Sequence, residues 1–161
     1  MQIEAKLAAT SLLPINSYTS NLDKNNNVIY LGSVMDIKIE SPIRISFETI
    51  GFEDDYGSIE FKITIGTSGF DYNQSISFNT WIAYYHIDAF LNALNENKKA
   101  ELVNLDGNFS LIIDSNENYI EWSHIEFRYS DNIFSTFKAR REVNDFYYNI
   151  VKSFNDYPKW W

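Results

Sequence analysis

The sequence predicts an α+β fold: an antiparallel β-sheet of about seven to nine strands with two amphipathic helices, about 84–96 and 142–156. Three observations point there. Apolar and polar residues alternate over long runs, the period of a strand with one wet face. In two places the apolar spacing changes to i, i+3, i+4, i+7, the stripe of an amphipathic helix. Strands and helices also arrive in runs instead of alternating one by one, which favours α+β over a doubly wound sheet.

The elements follow in order. Ile3, Ala5 and Leu7 alternate as a strand would, and Ser17 to Asn27 is polar and Asn-rich and reads as a loop. Val28 to Leu31, Val34 to Glu40 and Ile43 to Ile50 read as strands, and Pro42 between the last two places one of them at an edge. In Ser58 to Ile65, Ile59, Phe61, Ile63 and Ile65 share a face. Gly66 and Gly69 bracket a turn, and Phe70, Tyr72, Gln74, Ile76 and Phe78 alternate beyond it, completing an antiparallel hairpin. Ile87, Phe90, Leu91 and Leu94 form the first helical stripe. Leu102 opens a short strand, Asp106-Gly107 turns, and Phe109, Leu111 and Ile113 form the next inner face. Ser115 to Asn118 is a turn. From Tyr119 to Tyr129 the parity conflicts: Ile120 and Trp122 share one face, Ile125, Phe127 and Tyr129 the other. That requires either a bulge near Ser123 or cover on both faces. Ile133, Ser135, Phe137 and Ala139 give one more strand, and Val143, Phe146, Tyr147, Ile150, Val151 and Phe154 give the closing helix before Pro158.

A chain of 161 residues predicts a single domain over 1–161 with a core that needs no staple. There is no cysteine, which removes thiol chemistry and disulfides. Met1 to Leu13 mixes Gln2, Glu4 and Lys6 among apolar residues, unlike a secretory signal, and no window has the length of a membrane span. The expected location is cytoplasmic, with no membrane partner.

The chain carries 22 acidic residues against 13 basic, a net charge of −9. Phosphate backbones repel such a surface, so direct nucleic-acid binding is disfavoured and a basic protein partner is favoured. The acids concentrate in two places. Glu53, Asp54 and Asp55 lie between Gly51 and Gly57, an acidic loop tip. Glu101 to Asp131 holds seven acidic residues and one basic, Arg128, among them Asp114, Glu117 and Glu121. These six, Glu53, Asp54, Asp55, Asp114, Glu117 and Glu121, are the candidate partner-binding residues. Lys138, Arg140 and Arg141 form a small basic cluster before the last helix.

Catalytic and metal patterns do not assemble. His86 and His124 lack metal spacing and a nucleophilic partner. Asp23 to Asn27 and Asp114 to Asn118 both begin D-x-N-x-N, but a calcium loop needs Gly at its sixth position and Glu at its twelfth. Those positions hold Val28 and Val34, and Tyr119 and Ile125, so both stretches read as ordinary turns. No cofactor, no metal site and no catalytic residue is expected. Trp160 and Trp161 are expected to tuck back onto the core, and Tyr84-Tyr85 and Tyr147-Tyr148 to split one ring in and one out.

The order of elements after Gly57 resembles the WapI-like immunity family of bacterial polymorphic-toxin systems. The likeness rests on the hairpin Ile59 to Ile65 and Phe70 to Phe78, then Ile87-Asp88-x-Phe90-Leu91-x-x-Leu94. Glu101-Leu102, Asp106-Gly107, Phe109-x-Leu111, Ile120-Glu121 and a closing helix follow, so it covers about 57–154. A glycine-histidine step expected before the Ile120 strand is replaced by Glu117-Asn118-Tyr119. The resemblance implies a cytosolic, non-enzymatic protein that neutralises a cognate toxin by binding it. Two other readings are an enzyme or carbohydrate-binding domain of unfamiliar type, and a phage-type inhibitor whose carboxylates imitate nucleic acid.

Overall fold

The structure is a computed structural model that describes residues 19–22, 28–31, 36–68, 73–128, 133–159 and 161. The chain divides into two compact units, Met1–Val34 and Met35–Trp161. In the first, β1 (Thr19–Leu22) pairs antiparallel with β2 (Val28–Leu31). Thr19 to Leu22 therefore departs from the loop expected over Ser17 to Asn27. Its polar side chains do not signal a strand, but pairing with the apolar Val28 to Leu31 satisfies its backbone. The Ile3-Ala5-Leu7 strand and the Asp23 turn lie outside the described residues.

The second unit is α+β, with eight strands in two antiparallel sheets and two helices. The first sheet is a meander in the order β3 (Ile37–Ile39), β4 (Arg44–Glu53), β5 (Ser58–Ser68), β6 (Asn73–Ala83). β3, before Pro42, is the edge strand that the proline called for. β6 runs directly into α1 (Tyr84–Asn95). Twelve helical residues carry the chain about 18 Å away, so the next strand starts a new sheet instead of extending the old one. That sheet contains β7 (Ala100–Val103), β8 (Phe109–Asp114), β9 (Tyr119–Arg128) and β10 (Ile133–Glu142), again each strand beside the next. A 3₁₀ turn at Asn144–Phe146 leads into α2 (Tyr147–Asn155).

Three local expectations are corrected. Gly66 lies inside β5, not in a turn, because the ladder with β6 continues to Ser68 opposite Asn73. β9 has no bulge near Ser123: its register with β8 and β10 is unbroken. Ile120, Trp122 and His124 are buried on the inner face, while Ile125 is half-buried on the other. The bulge is in β4, where the register shifts between Thr49 and Gly51 and leaves Ile50 unpaired and exposed. The last helix does not begin at 142. β10 extends to Glu142, and a two-residue clamp turns the corner. The Asn118 side chain accepts the Asn144 backbone N–H at 2.8 Å and donates to the Asn144 side-chain oxygen at 2.6 Å. Both asparagines have positive φ, which this residue type tolerates.

The inner faces meet in one core. Phe47 of β4 is fully buried and touches Phe61 of β5 (centroids 5.7 Å apart), Phe109 of β8 (6.4 Å) and Phe154 of α2 (5.8 Å), each edge-to-face. Phe154 in turn packs on Phe90 of α1 at 4.8 Å. Each such pair contributes about 0.5–1.5 kcal/mol beyond its buried area. His124 belongs to this interior. Its ring stacks on Phe78 (3.8 Å, 9°), and its Nδ1 has no hydrogen-bond partner among the described residues. Burial pushes its pKa down, against the opposing pull of the Glu126 carboxylate and the Asn108 backbone carbonyl.

Two outcomes follow. Phe47→Ala should lower the unfolding free energy by about 3–5 kcal/mol, the range for a buried Phe whose cavity cannot close. Urea denaturation measures this, and a loss under about 1 kcal/mol contradicts the central placement of Phe47. For His124, the folded pKa lies below the unfolded value near 6.5, so the unfolded chain takes up the proton first as pH falls. Its contribution to stability is therefore present above pH about 6.5 and is lost on acidification from there. His124→Phe should make the dependence of the urea midpoint on pH shallower between about pH 7 and 5, and identical slopes in the two proteins contradict this.

Candidate functional site

The candidate site is built around the turn between β4 and β5. Asp54 to Gly57 close it, with the Gly57 N–H donating to the Asp54 carbonyl at 3.2 Å. Gly57 sits at φ +57°, where a side chain is strained, and a Cβ there would also approach Tyr84 Cδ2 at 3.3 Å. The Gly57 carbonyl accepts the Tyr84 backbone N–H at 2.8 Å, which fastens the turn to the start of α1. Burial raises the Tyr84 phenol pKa, and the negative charge of the nearby Asp54 adds to the shift.

The C-terminus reinforces the same corner. Trp161 is half-buried, stacks on Tyr84 (4.9 Å, 10°) and points its indole N–H at both oxygens of Asp88, 3.4 Å away. Lys159 reaches the same carboxylate at 2.6 Å. Trp161 thus tucks back as expected, while Trp160 lies outside the described residues. Tyr84 is half-buried beside the exposed Tyr85, and Tyr147 is half-buried beside the exposed Tyr148, the splits the sequence suggests.

Next to this corner the Leu105 N–H donates to the Trp81 carbonyl at 2.9 Å, bringing the β7–β8 turn alongside the end of β6. The Trp81 ring lies beside Gly51, across the row formed by Gly51, Glu60 and Trp81. Large apolar side chains are exposed on the turn's own strand and on the two segments bonded near it. Tyr56 is 81% exposed and Tyr85 65%, and Ile50, Phe52 and Leu105 are also exposed. Asp54, Asp55 and Asp106 are exposed, and Glu53 is half-buried. Among the described residues no lysine or arginine forms an ion pair with Glu53, Asp54 or Asp55.

The other three candidate residues stand on the second sheet and behave differently. Asp114 is buried, and its Oδ1 accepts the backbone N–H of Asn116 and of Glu117, each at 3.0 Å. It shapes the turn instead of facing a partner. Glu121 lies opposite Arg140 in the ladder, and its carboxylate pairs with Lys138 at 2.9 Å. Glu117 meets Arg140 at 3.5 Å, and the Arg140 guanidinium also covers the Tyr119 ring, 3.5 Å from its centre. The β9–β10 register thus sets the basic cluster against these acids, so Asp114, Glu117 and Glu121 do not form an open acidic face. Such exposed pairs contribute at most about 1 kcal/mol, but they cancel the local field.

Sequence reasoning identified the acidic turn but missed the apolar groups around it. Ile50 and Phe52 alternate like strand residues, and only the bulge reveals their exposure. Tyr56 carried a readable signal, an aromatic in a glycine-flanked turn. A shallow groove of about 320 Å³ lies between β3 and α2, lined by Lys38, Glu40, Phe146, Asn149, Ile150 and Ser153. It has a single carboxylate, which reaches Arg44 at 3.6 Å, so this groove offers no acid–base pair. His86 is occupied structurally, its Nδ1 donating to the Val103 carbonyl at 3.0 Å. Among the described residues no group of three or more histidines and acids is placed to hold a metal ion, and no helix is long and apolar enough to cross a membrane. No family model, no curated protein sequence and no solved structure matches this chain.

Proposed function

We propose that this chain is a non-enzymatic binding protein of the immunity type, which neutralises a cognate bacterial toxin in the cytoplasm by direct contact. The observation that carries the reading is the acid–aromatic corner. Glu53, Asp54 and Asp55 stand without a described counter-cation in and beside a turn that carries exposed Tyr56 and follows exposed Ile50 and Phe52, and the turn is bonded to Tyr84, next to exposed Tyr85. Each half of that arrangement has a physical use. Uncompensated carboxylates attract a basic partner and speed encounter. Exposed aromatic groups become buried anchors that slow dissociation. Exposed aromatics next to uncompensated acids are what a docking site presents.

The resemblance to immunity proteins supplies the kind of partner, a basic toxin domain. The test begins with affinity capture from the native cell, followed by expression of the captured partner with and without this chain. A basic protein that stops growth alone and not when co-expressed is the expected result; absence of protection overturns the proposal. Kinetics then locate the surface. The triple charge reversal Glu53→Lys, Asp54→Lys, Asp55→Lys should slow association about tenfold or more at low salt, and the difference should shrink as salt rises. Tyr56→Ala should instead raise the dissociation rate, by about thirtyfold if Tyr56 is worth about 2 kcal/mol. Association and dissociation both unchanged in these variants would exclude this corner as the docking surface.

A further inference from the structure

His124 is a titratable ring in an apolar seam. It lies buried on the inner face of β9, where the ladder sets it between Phe109 of β8 and Phe137 of β10. Its ring stacks on Phe78 of β6, and Phe78 in turn meets Phe109 at 5.4 Å. The imidazole therefore bridges the two sheets. It also bonds the Asn108 backbone carbonyl, which accepts the Ile125 N–H at 2.8 Å as well. With Nδ1 unpartnered among the described residues, the neutral ring carries its proton on Nε2 and presents a bare lone pair at Nδ1.

These contacts close into a circuit. Asn108 belongs to the turn between β7 and β8, and its side-chain oxygen accepts from Asn104 Nδ2 at 2.5 Å. The same amide donates to Thr80 Oγ1 on β6 at 2.7 Å, two residues beyond Phe78. The seam and the β7–β8 turn are thus held by the same few groups. A second proton would convert Nδ1 from an acceptor into a donor. No acceptor among the described residues stands within its reach. The added charge would also lie among Phe78 of β6, Phe109 of β8 and Phe137 of β10, none of them titratable. The charge that favours the cation is the Glu126 carboxylate, two positions along β9 itself, and burial outweighs it.

We propose that His124 is a proton-operated latch between the two sheets: protonation at Nδ1 ejects the ring from Phe78 and frees the β7–β8 turn while the Phe47 core stays closed. The order of events follows from burial. Phe78 is half-buried, so parting it from His124 exposes less apolar surface than parting the fully buried Phe47, Phe61 and Phe154. The sign follows from linkage. The closed latch takes a proton less readily than an exposed imidazole, so it is shut at neutral pH and opens as pH falls below about 6.5. The turn that it frees carries the exposed Leu105 and Asp106 of the candidate site.

Hydrogen–deuterium exchange of the full chain at about pH 7 and 5, read against His124→Phe at the same pH, tests this. Intrinsic exchange, the carboxylates and His86 are common to both proteins and cancel in the ratio. Between those pH values, wild-type exchange at 104–110 and 122–126 should gain on the variant by about threefold or more. The ceiling is about 25-fold, the limit for an imidazole that titrates near 6.5 when open and stays neutral when closed. Segments 44–49 and 59–65, which hold Phe47 and Phe61, should show no such gain. Should His124→Phe fail to fold, His124→Gln, whose amide also donates but takes no proton, replaces it. A ratio that does not change with pH overturns the proposal. So does a gain of equal size in β4 and β5, which would mean that acid acts by unfolding the whole unit.

Discussion

The packing of Phe47 is the constraint on which the rest of the second unit depends. One side chain from β4 meets β5, β8 and α2 at once, and Phe154 extends the contact to α1. Each element carries a one-sided apolar stripe that is unstable in water by itself. The two sheets and two helices are stable together because their stripes converge on the same few rings. The exposed acidic turn adds nothing to this core, so the groups proposed for recognition stand apart from those that hold the fold.

That separation appears most clearly in how the charges are spent. On the second sheet they face one another: Lys138 holds Glu121, Arg140 lies between Glu117 and the Tyr119 ring, and Asp114 turns inward to shape its loop. In the β4–β5 turn they are left open. Gly57 makes that difference possible. Its positive φ folds the turn back so that its carbonyl reaches Tyr84, which fastens the turn to the start of α1. A turn fastened by its backbone loses less conformational freedom on association than a free one.

Much of this was legible in the sequence where one period governed a whole element. The stripe Ile87, Phe90, Leu91, Leu94 specified α1, and the alternation in β5 specified its buried face, since both depend on local spacing alone. The acidic turn was legible because two glycines frame it. What failed depended on partners distant in the chain. Glu121 reads as an exposed acid until β10 pairs with β9 and brings Lys138 to it. The exposure of Ile50 follows from a one-residue bulge that no local pattern announces. The start of α2 was displaced by a clamp between Asn118 and Asn144, twenty-six positions apart. His124 took an inward slot that hydrophobicity alone would have given to Ile125.

The most direct test of the central claim, that the acid–aromatic corner is where this protein meets a basic partner, is hydrogen–deuterium exchange of the chain with and without the captured partner. Protection concentrated at 50–57, 84–86 and 104–107, with the β9–β10 face unchanged, is the predicted result. Protection confined to β9 and β10, or to the groove between β3 and α2, would contradict it.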